Sequence, residues 1–226
     1  LISLMKDQVD NLEKKGITEA VAINGLLDLN DNTLTIAGNY DVTLNNRIQD
    51  TGDVIMNGLG NLMLGGTAAN TFSGGLTVNS GTVTVAKANA LGTGPLTLNG
   101  GILNLGAYTL TVSSISLLGG TINSASGGIS SSTGYQLQSG SIASSLGGAG
   151  GLIKTTSGTV TLTAANTYTG GTQIRAGRLT VNNATGSGTG TGRPYPNGGR
   201  REGGSVANAG GNCCKGPTGV ALSATQ

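Results

Sequence analysis

Between residues 29 and about 184 the chain alternates apolar and polar positions in short bursts. Within segments such as "NTLTIAG", "YDVTLNN", "GTVTVAK", "GPLTLNG", "YTLTVSS", "GTVTLTA" and "GRLTVNN" the bursts last four to six residues and are bounded by Gly, Asn, Ser or Asp. A period of two puts alternate side chains on opposite faces of an extended strand, and the closing residues are turn formers. The pattern therefore predicts many short strands with tight turns and no helix between them. The segment 1–28 behaves differently. In "LISLMKDQVDNLEKKG", Leu1, Met5, Val9 and Leu12 recur at helical spacing and Gly16 is placed to end a helix. The next apolar burst, "AVAINGLL", reads equally as a strand or a short helix. From about Gly186 the alternation stops, three of the four prolines gather, and the segment 186–226 is expected to be mostly disordered.

Short strands alone are compatible with a sandwich, a barrel or a solenoid. Composition separates them. Gly supplies 42 of 226 residues and aromatics only 3%. A sandwich core usually relies on a few large aromatic anchors. Small aliphatic side chains suit the narrow interior shared by successive coils of a solenoid. Internal repetition points the same way. "AANTFSGGLTVNSGTVTV" (68–85) is written again as "AANTYTGGTQIRAGRLTV" (164–181). In both copies an asparagine, Asn70 or Asn166, stands two positions before an aromatic, Phe72 or Tyr168. A glycine pair follows, Gly74-Gly75 or Gly170-Gly171, expected to make a sharp corner with positive φ. Gly81 and Gly177 mark a second turn. At about 20–25 residues per coil, about seven coils are expected, a rod of roughly 30–35 Å.

The second copy, extended upstream as "GTVTLTAANTYTGGTQIRAGRLTV" (158–181), resembles the autotransporter-associated β-strand repeat, also called the passenger-associated transport repeat. The pattern falls on Gly158, Val160, Leu162, Asn166, Tyr168, Gly170, Thr172, Ile174, Gly177, Leu179 and Val181; the first copy departs from it at Phe72 and Leu76. The resemblance implies an all-β fold, a right-handed parallel β-helix over 29–185, from the passenger of a type V secretion protein of a Gram-negative bacterium. It also implies display at the cell surface or release outside it, with host or cell-surface ligands as partners. A C-terminal run of alternating membrane strands ending in an aromatic is not found, so the translocation barrel is expected outside this chain. No export signal is read in this chain, which opens without an initiator Met; one lies upstream or never existed. Residues 1–27 resemble the motif Ia region of RecQ-type helicases, but no G-x-x-x-x-G-K-[ST] accompanies it; "GGLIKTT" carries Ile153 where glycine is needed. An end cap for the solenoid is the favoured role for 1–28. A chimeric reading frame without evolved function is the competing account.

Charge and chemistry narrow the functions further. The net charge is +2 and charged residues make up 10% of the chain, which argues against a nucleic-acid partner. The segment 1–28 holds three basic and five acidic side chains, 29–192 five and four, and 193–226 four and one. No run approaches the roughly 18 apolar residues of a membrane-spanning helix. With no His, and with both cysteines, Cys213 and Cys214, in the tail, neither a zinc site nor a His-assisted nucleophile is expected, and no cofactor. Since β-helices also carry polysaccharide-cleaving enzymes, the cluster Asp41, Arg47, Asp50 and Asp53 is the candidate for acid–base work; solvated turn residues are the simpler reading. Threonine pairs Thr82/Thr84, Thr109/Thr111 and Thr159/Thr161 could line a flat outer ladder, though threonine is favoured there by strand propensity alone. The sequence thus predicts a non-catalytic scaffold.

Overall fold

In a computed structural model, residues 25–192 are described in full, together with the strand backbones of Val21–Ile23 and Gly204–Asn208. Every strand pair is parallel, and the described chain winds as a β-solenoid. One sheet stacks Val21–Ile23, Val42–Leu44, Asn61–Leu64, Thr82–Val85, Ile102–Asn104, Thr121–Ser131, Gly140–Gly147, Thr159–Leu162, Gly177–Val181 and Gly204–Asn208. The second sheet stacks eight: Leu34–Ile36, Asp53–Met56, Gly75–Val78, Leu96–Leu98, Ile115–Leu117, Gly134–Leu137, Gly151–Lys154 and Thr172–Ile174. A third side is strand in places only, where Leu27–Asp28 pairs with Ile48–Gln49 and Thr109–Val112 with the end of Thr121–Ser131. Eight coils result, with no helix among the described residues. At about 4.8 Å per strand the eight-stranded sheet is roughly 34 Å long.

The register shows why alternation was enough to build this. On the first sheet Leu62, Val83, Leu103, Ile122 and Ile142 lie directly above one another and are fully buried. On the second, Val54, Leu76, Leu96 and Ile115 do the same. Most apolar members of the strands point inward, with Met63 and Ile102 among the few on the outer face, and each coil covers the apolar rim of the one before. A lone coil could not bury its core; the stack can. On the second sheet the step from one coil to its partner is shortest from Tyr135 to Leu152 and longest from Val54 to Leu76. Most coils run close to the short end of the expected range, and the stack extends past 29–185, which is why eight coils form where about seven were anticipated.

Two features lie beyond the expected limits of 29–185. Val21–Ile23, in the burst that reads equally as strand or short helix, is a strand paired with Val42–Leu44, and Gly204–Asn208, inside the tail, pairs with Gly177–Val181. Residues 187–191 are also folded against the coil below, with Asn166 N donating to Ser187 O at 2.6 Å and Thr191 N to Tyr168 O at 2.9 Å. The physical reason is the same at both ends: an exposed parallel edge offers unpaired N–H and C=O groups, and a short extended segment satisfies them. The amphipathic helix expected over 1–16, the vicinal cysteines and the rest of the tail lie outside the described residues.

Candidate functional site: an asparagine–aromatic rung repeated in the stack

The two copies of the motif occupy equivalent places in the solenoid, at the corner between the third side and the second sheet. There the strand ladder is interrupted, so backbone groups of neighbouring coils need another partner. Asn70 supplies it. Its Oδ1 accepts from Ile48 N in the coil below at 3.0 Å, and its Nδ2 donates to Ala90 O in the coil above at 2.6 Å. Asn166 repeats the arrangement, accepting from Leu146 N at 2.8 Å and donating to Gly188 O at 2.6 Å. Each side chain is only 2% exposed. A primary carboxamide has the donor and acceptor geometry of a peptide unit, so each asparagine acts as a rung that carries the hydrogen-bond ladder across a gap in the sheet.

Two residues on, the aromatic turns inward. Phe72 and Tyr168 are fully buried. Tyr168 Oη and Thr172 Oγ1 are 2.6 Å apart, and the Tyr168 ring lies 5.6 Å from that of Tyr135 at an interplanar angle of 49°. The tilted pair fills the lumen in a geometry that aromatic quadrupoles favour. The glycine pairs make the corner by dividing the work between their two members. Gly75 and Gly171 do, but Gly74 and Gly170 do not. A Cβ on Gly74 would meet Thr51 O at 2.6 Å, and one on Gly170 would collide with Gly151 N. Those two are glycine because the coil below passes too close for a side chain.

Gly81 and Gly177 close the second turn with φ of +66° and +71°. A Cβ on Gly177 would collide with Thr156 O and Gly158 O. Gly158, the first residue of the repeat pattern, is thus the floor on which the second turn rests. Gly177→Ala is expected to destabilise the fold by about 2 kcal/mol or more, from the left-handed backbone alone before the collision is added. Urea denaturation checks this, and Gly188→Ala is no substitute, because a side chain there strikes Val181 instead.

Sequence reasoning missed two inward lysines. Lys154 continues the row Leu117, Leu137, Ile174 on the second sheet and is fully buried. Its Nζ donates to Thr156 O at the turn, and Ala176 O lies at 3.4 Å. Lys87, 4% exposed, donates to Asn46 O at 2.7 Å and to the rung oxygen Asn70 Oδ1 at 2.8 Å. The signal was present: "GGLIKTT" alternates like its neighbours, with lysine on the apolar beat. Burial holds both ammonium groups below the ordinary lysine value of 10.5. The folded chain therefore releases these protons at lower pH than the unfolded chain, and stability rises with pH until 10.5. Above 10.0 Tyr135 opposes this. Its phenol is pushed up to about 12 by burial, so the unfolded chain loses that proton first and stability falls from pH 10.0 to about 12. The double variant Lys87→Met/Lys154→Met should flatten the rise below 10 in urea midpoints measured against pH, while Tyr135→Phe should remove the alkaline fall.

The structure does not bring the candidate acid–base cluster together. Asp41 leads into the first sheet, with its Oδ1 accepting from Asn61 N at 2.8 Å. Arg47 and Asp50 flank the Ile48–Gln49 strand on the third side, and Asp53 opens a strand of the second sheet. Arg47 donates to Thr71 Oγ1 at 3.2 Å rather than to a carboxylate. Asp28, which was not singled out, has its carboxyl held below the usual value chiefly by the hydrogen bond from Gln49, against a desolvation penalty, with Asn30 N and Asp50 contributing less. The threonine pairs form no continuous ladder either. Outward neighbours of Thr82 and Thr84 are Asn61, Ile102, Met63 and Asn104, and Thr109–Val112 lies on another side of the solenoid. Among the described residues no group of three or more Cys, Asp or Glu could hold a metal ion. No helix among them is long and apolar enough to cross a membrane. A shallow groove of roughly 430 Å³ crosses the third side beside the first rung, lined by Asn70, Thr71, Asn89, Thr93, Thr111 and Ser113.

Comparison with known proteins selects the same two places. Residues 54–85 and 152–181 match the family described as the passenger-associated-transport-repeat. Each match runs from a strand of the second sheet, through a rung and its aromatic, to the strand after Gly81 or Gly177. A 94-residue stretch is 40% identical to the adhesin BmaC autotransporter of Brucella suis biovar 1 (strain 1330). It covers 40% of this chain and only 3% of that protein. No solved structure matches. Two stretches of the chain are thus similar to passenger-associated transport repeats, and both are set in a parallel β-solenoid. The repeat matches do not reach residues 1–27, and the helicase resemblance there finds no support.

Proposed function

We propose that this chain is a non-catalytic segment of an autotransporter-type passenger, serving outside the cell as a stalk or adhesion scaffold that presents surface to host or cell-surface ligands. The observation that carries this reading is the rung: the same asparagine, aromatic and glycine set is used twice, in two coils of one stack, to keep a hydrogen-bond ladder continuous. Such residues build length and stiffness, not a reaction centre. The likeness to part of a named adhesin supports the setting. The placement of Asp41, Arg47, Asp50 and Asp53 on three different sides gives a polysaccharide-cleaving enzyme no shared cleft.

The test is display. The chain is fused between a secretion leader and an outer-membrane barrel in a Gram-negative host, and intact cells are treated with external protease. Cleavage of the folded chain on intact cells, with gain of attachment to a host-cell layer, is the expected result. A chain that reaches the surface but confers no attachment leaves the stalk and removes the adhesive role. Retention inside the outer membrane contradicts both.

A further inference from the structure

We propose that three stacked asparagines on the outside of the solenoid form a modification site, in which Asn57 and Asn99 deamidate and Asn79 between them sets a two-hit threshold for damage. Asn57, Asn79 and Asn99 are exposed at the same corner of successive coils. Asn79 Nδ2 donates to Asn57 Oδ1 at 2.5 Å, and Asn99 Nδ2 donates to Asn79 Oδ1 at 2.6 Å. The two outer members are each followed by glycine, Gly58 and Gly100; the middle one is followed by Ser80. An asparagine before glycine is the least hindered setting for attack of the next backbone nitrogen on the side-chain carbonyl. The Gly58 nitrogen gives up its proton and bonds to Asn57 Cγ, the bond to Nδ2 breaks, and ammonia leaves. Water then opens the cyclic imide to aspartate or isoaspartate. The reaction consumes one water and needs no other reagent.

The solenoid itself fixes both the reactive pair and its protection. Gly58 cannot carry a side chain, because a Cβ would collide with Gly38 O in the coil below; one on Gly100 would lie 2.7 Å from Asn79 O. The same stacking ties up the attacking nitrogens. Gly58 N donates to Ile36 O at 3.0 Å and Gly100 N to Val78 O at 3.3 Å. Attack requires each nitrogen to leave its carbonyl, so the reaction waits for local opening of the corner.

The threshold follows from the chemistry of a carboxamide. Asn79 has one donor end and one acceptor end, and so can donate toward only one neighbour along the stack. A carboxylate at position 57 keeps the bond from Asn79 as it stands. A carboxylate at position 99 is accommodated by turning over the Asn57 and Asn79 amides, which reverses the stack. With carboxylates at both positions, one of them must face Asn79 Oδ1. The single conversions are tolerated; the pair is not.

Two measurements decide it. The full-length protein is aged in mildly alkaline buffer, folded or in guanidinium, and mapped by peptide mass spectrometry. Conversion at both sites should be at least about tenfold slower in the folded protein; equal rates contradict the protection. Aspartate variants then test the threshold by urea denaturation at high salt, where direct repulsion between the two carboxylates is screened. Asn57→Asp/Asn99→Asp should lower the folding equilibrium constant by at least about threefold beyond the product of the two single effects. That excess should vanish when the same set is built on Asn79→Ala, a background whose own folding is checked by its melting curve. Additive doubles, or an excess that survives Asn79→Ala or disappears at high salt, overturn the role given to Asn79.

Discussion

Replacing Asn70 with alanine is expected to destabilise the solenoid by about 3–5 kcal/mol, because three partners lose their bond in a buried corner at once. Ile48 N–H loses its acceptor, Ala90 O its donor, and the Lys87 ammonium one of its two oxygens. A cavity term is small, since an asparagine side chain is short; the loss is one of unsatisfied polar groups. That distinguishes it from an ordinary core truncation. Asn70→Asp should cost less, because a carboxylate still accepts from Ile48 N and pairs with Lys87, leaving only Ala90 O unserved. Urea unfolding of the two variants side by side gives the order. If alanine and aspartate cost the same, the rung does not work by hydrogen bonding.

The second large effect belongs to the aromatic. Phe72→Ala should cost about 3–5 kcal/mol, the range for removing a fully buried phenyl ring from a core that cannot collapse around the void. Collapse is resisted here because the two sheets are held at fixed spacing by ladders running the length of the stack. Tyr168→Phe isolates the hydroxyl, which pairs with Thr172 Oγ1, and should cost about 1 kcal/mol. Tyr168→Ala should approach the Phe72→Ala value and also release Tyr135 from its ring contact. Near-ultraviolet circular dichroism reads that release directly, since the tyrosine signal depends on a fixed environment. Unchanged stability in Phe72→Ala would mean that the lumen tolerates a hole, and that the aromatic is retained for some reason other than packing.

Much of this could be read from the chain before any coordinates. Period two with small aliphatics announced stacked strands, and the repeat of Asn70 and Phe72 as Asn166 and Tyr168 announced equivalent corners. Local rules were sufficient there because a parallel stack converts each local pattern into the same inward row. What could not be read depended on contacts between coils. Gly74 and Gly75 look alike in sequence, yet Gly75 is glycine for its φ and Gly74 because Thr51 O and Gly52 pass beside it. The number of coils depends on how tightly each turn is drawn, and that differs along the stack, tight from Tyr135 to Leu152 and looser from Val54 to Leu76. Lys87 and Lys154 were concealed by their type, since a charged residue on an apolar beat is ordinarily assigned to the surface. The scatter of Asp41, Arg47, Asp50 and Asp53 was hidden for the opposite reason. The four lie close in sequence, but the span that joins them turns through all three sides of the solenoid.

Hydrogen exchange at two backbone amides reads out the asparagine rungs one bond at a time. Ile48 N–H and Leu146 N–H are each held by an asparagine side chain of the coil above, at 3.0 and 2.8 Å. Both should exchange as slowly as their ladder-bonded neighbours in the wild-type protein. In Asn70→Ala, Ile48 should lose protection by about a hundredfold while Leu146 keeps it, and Asn166→Ala should give the mirror result. If Ile48 exchanges alike with and without Asn70, the side chain is not carrying the ladder and the account of the repeat fails.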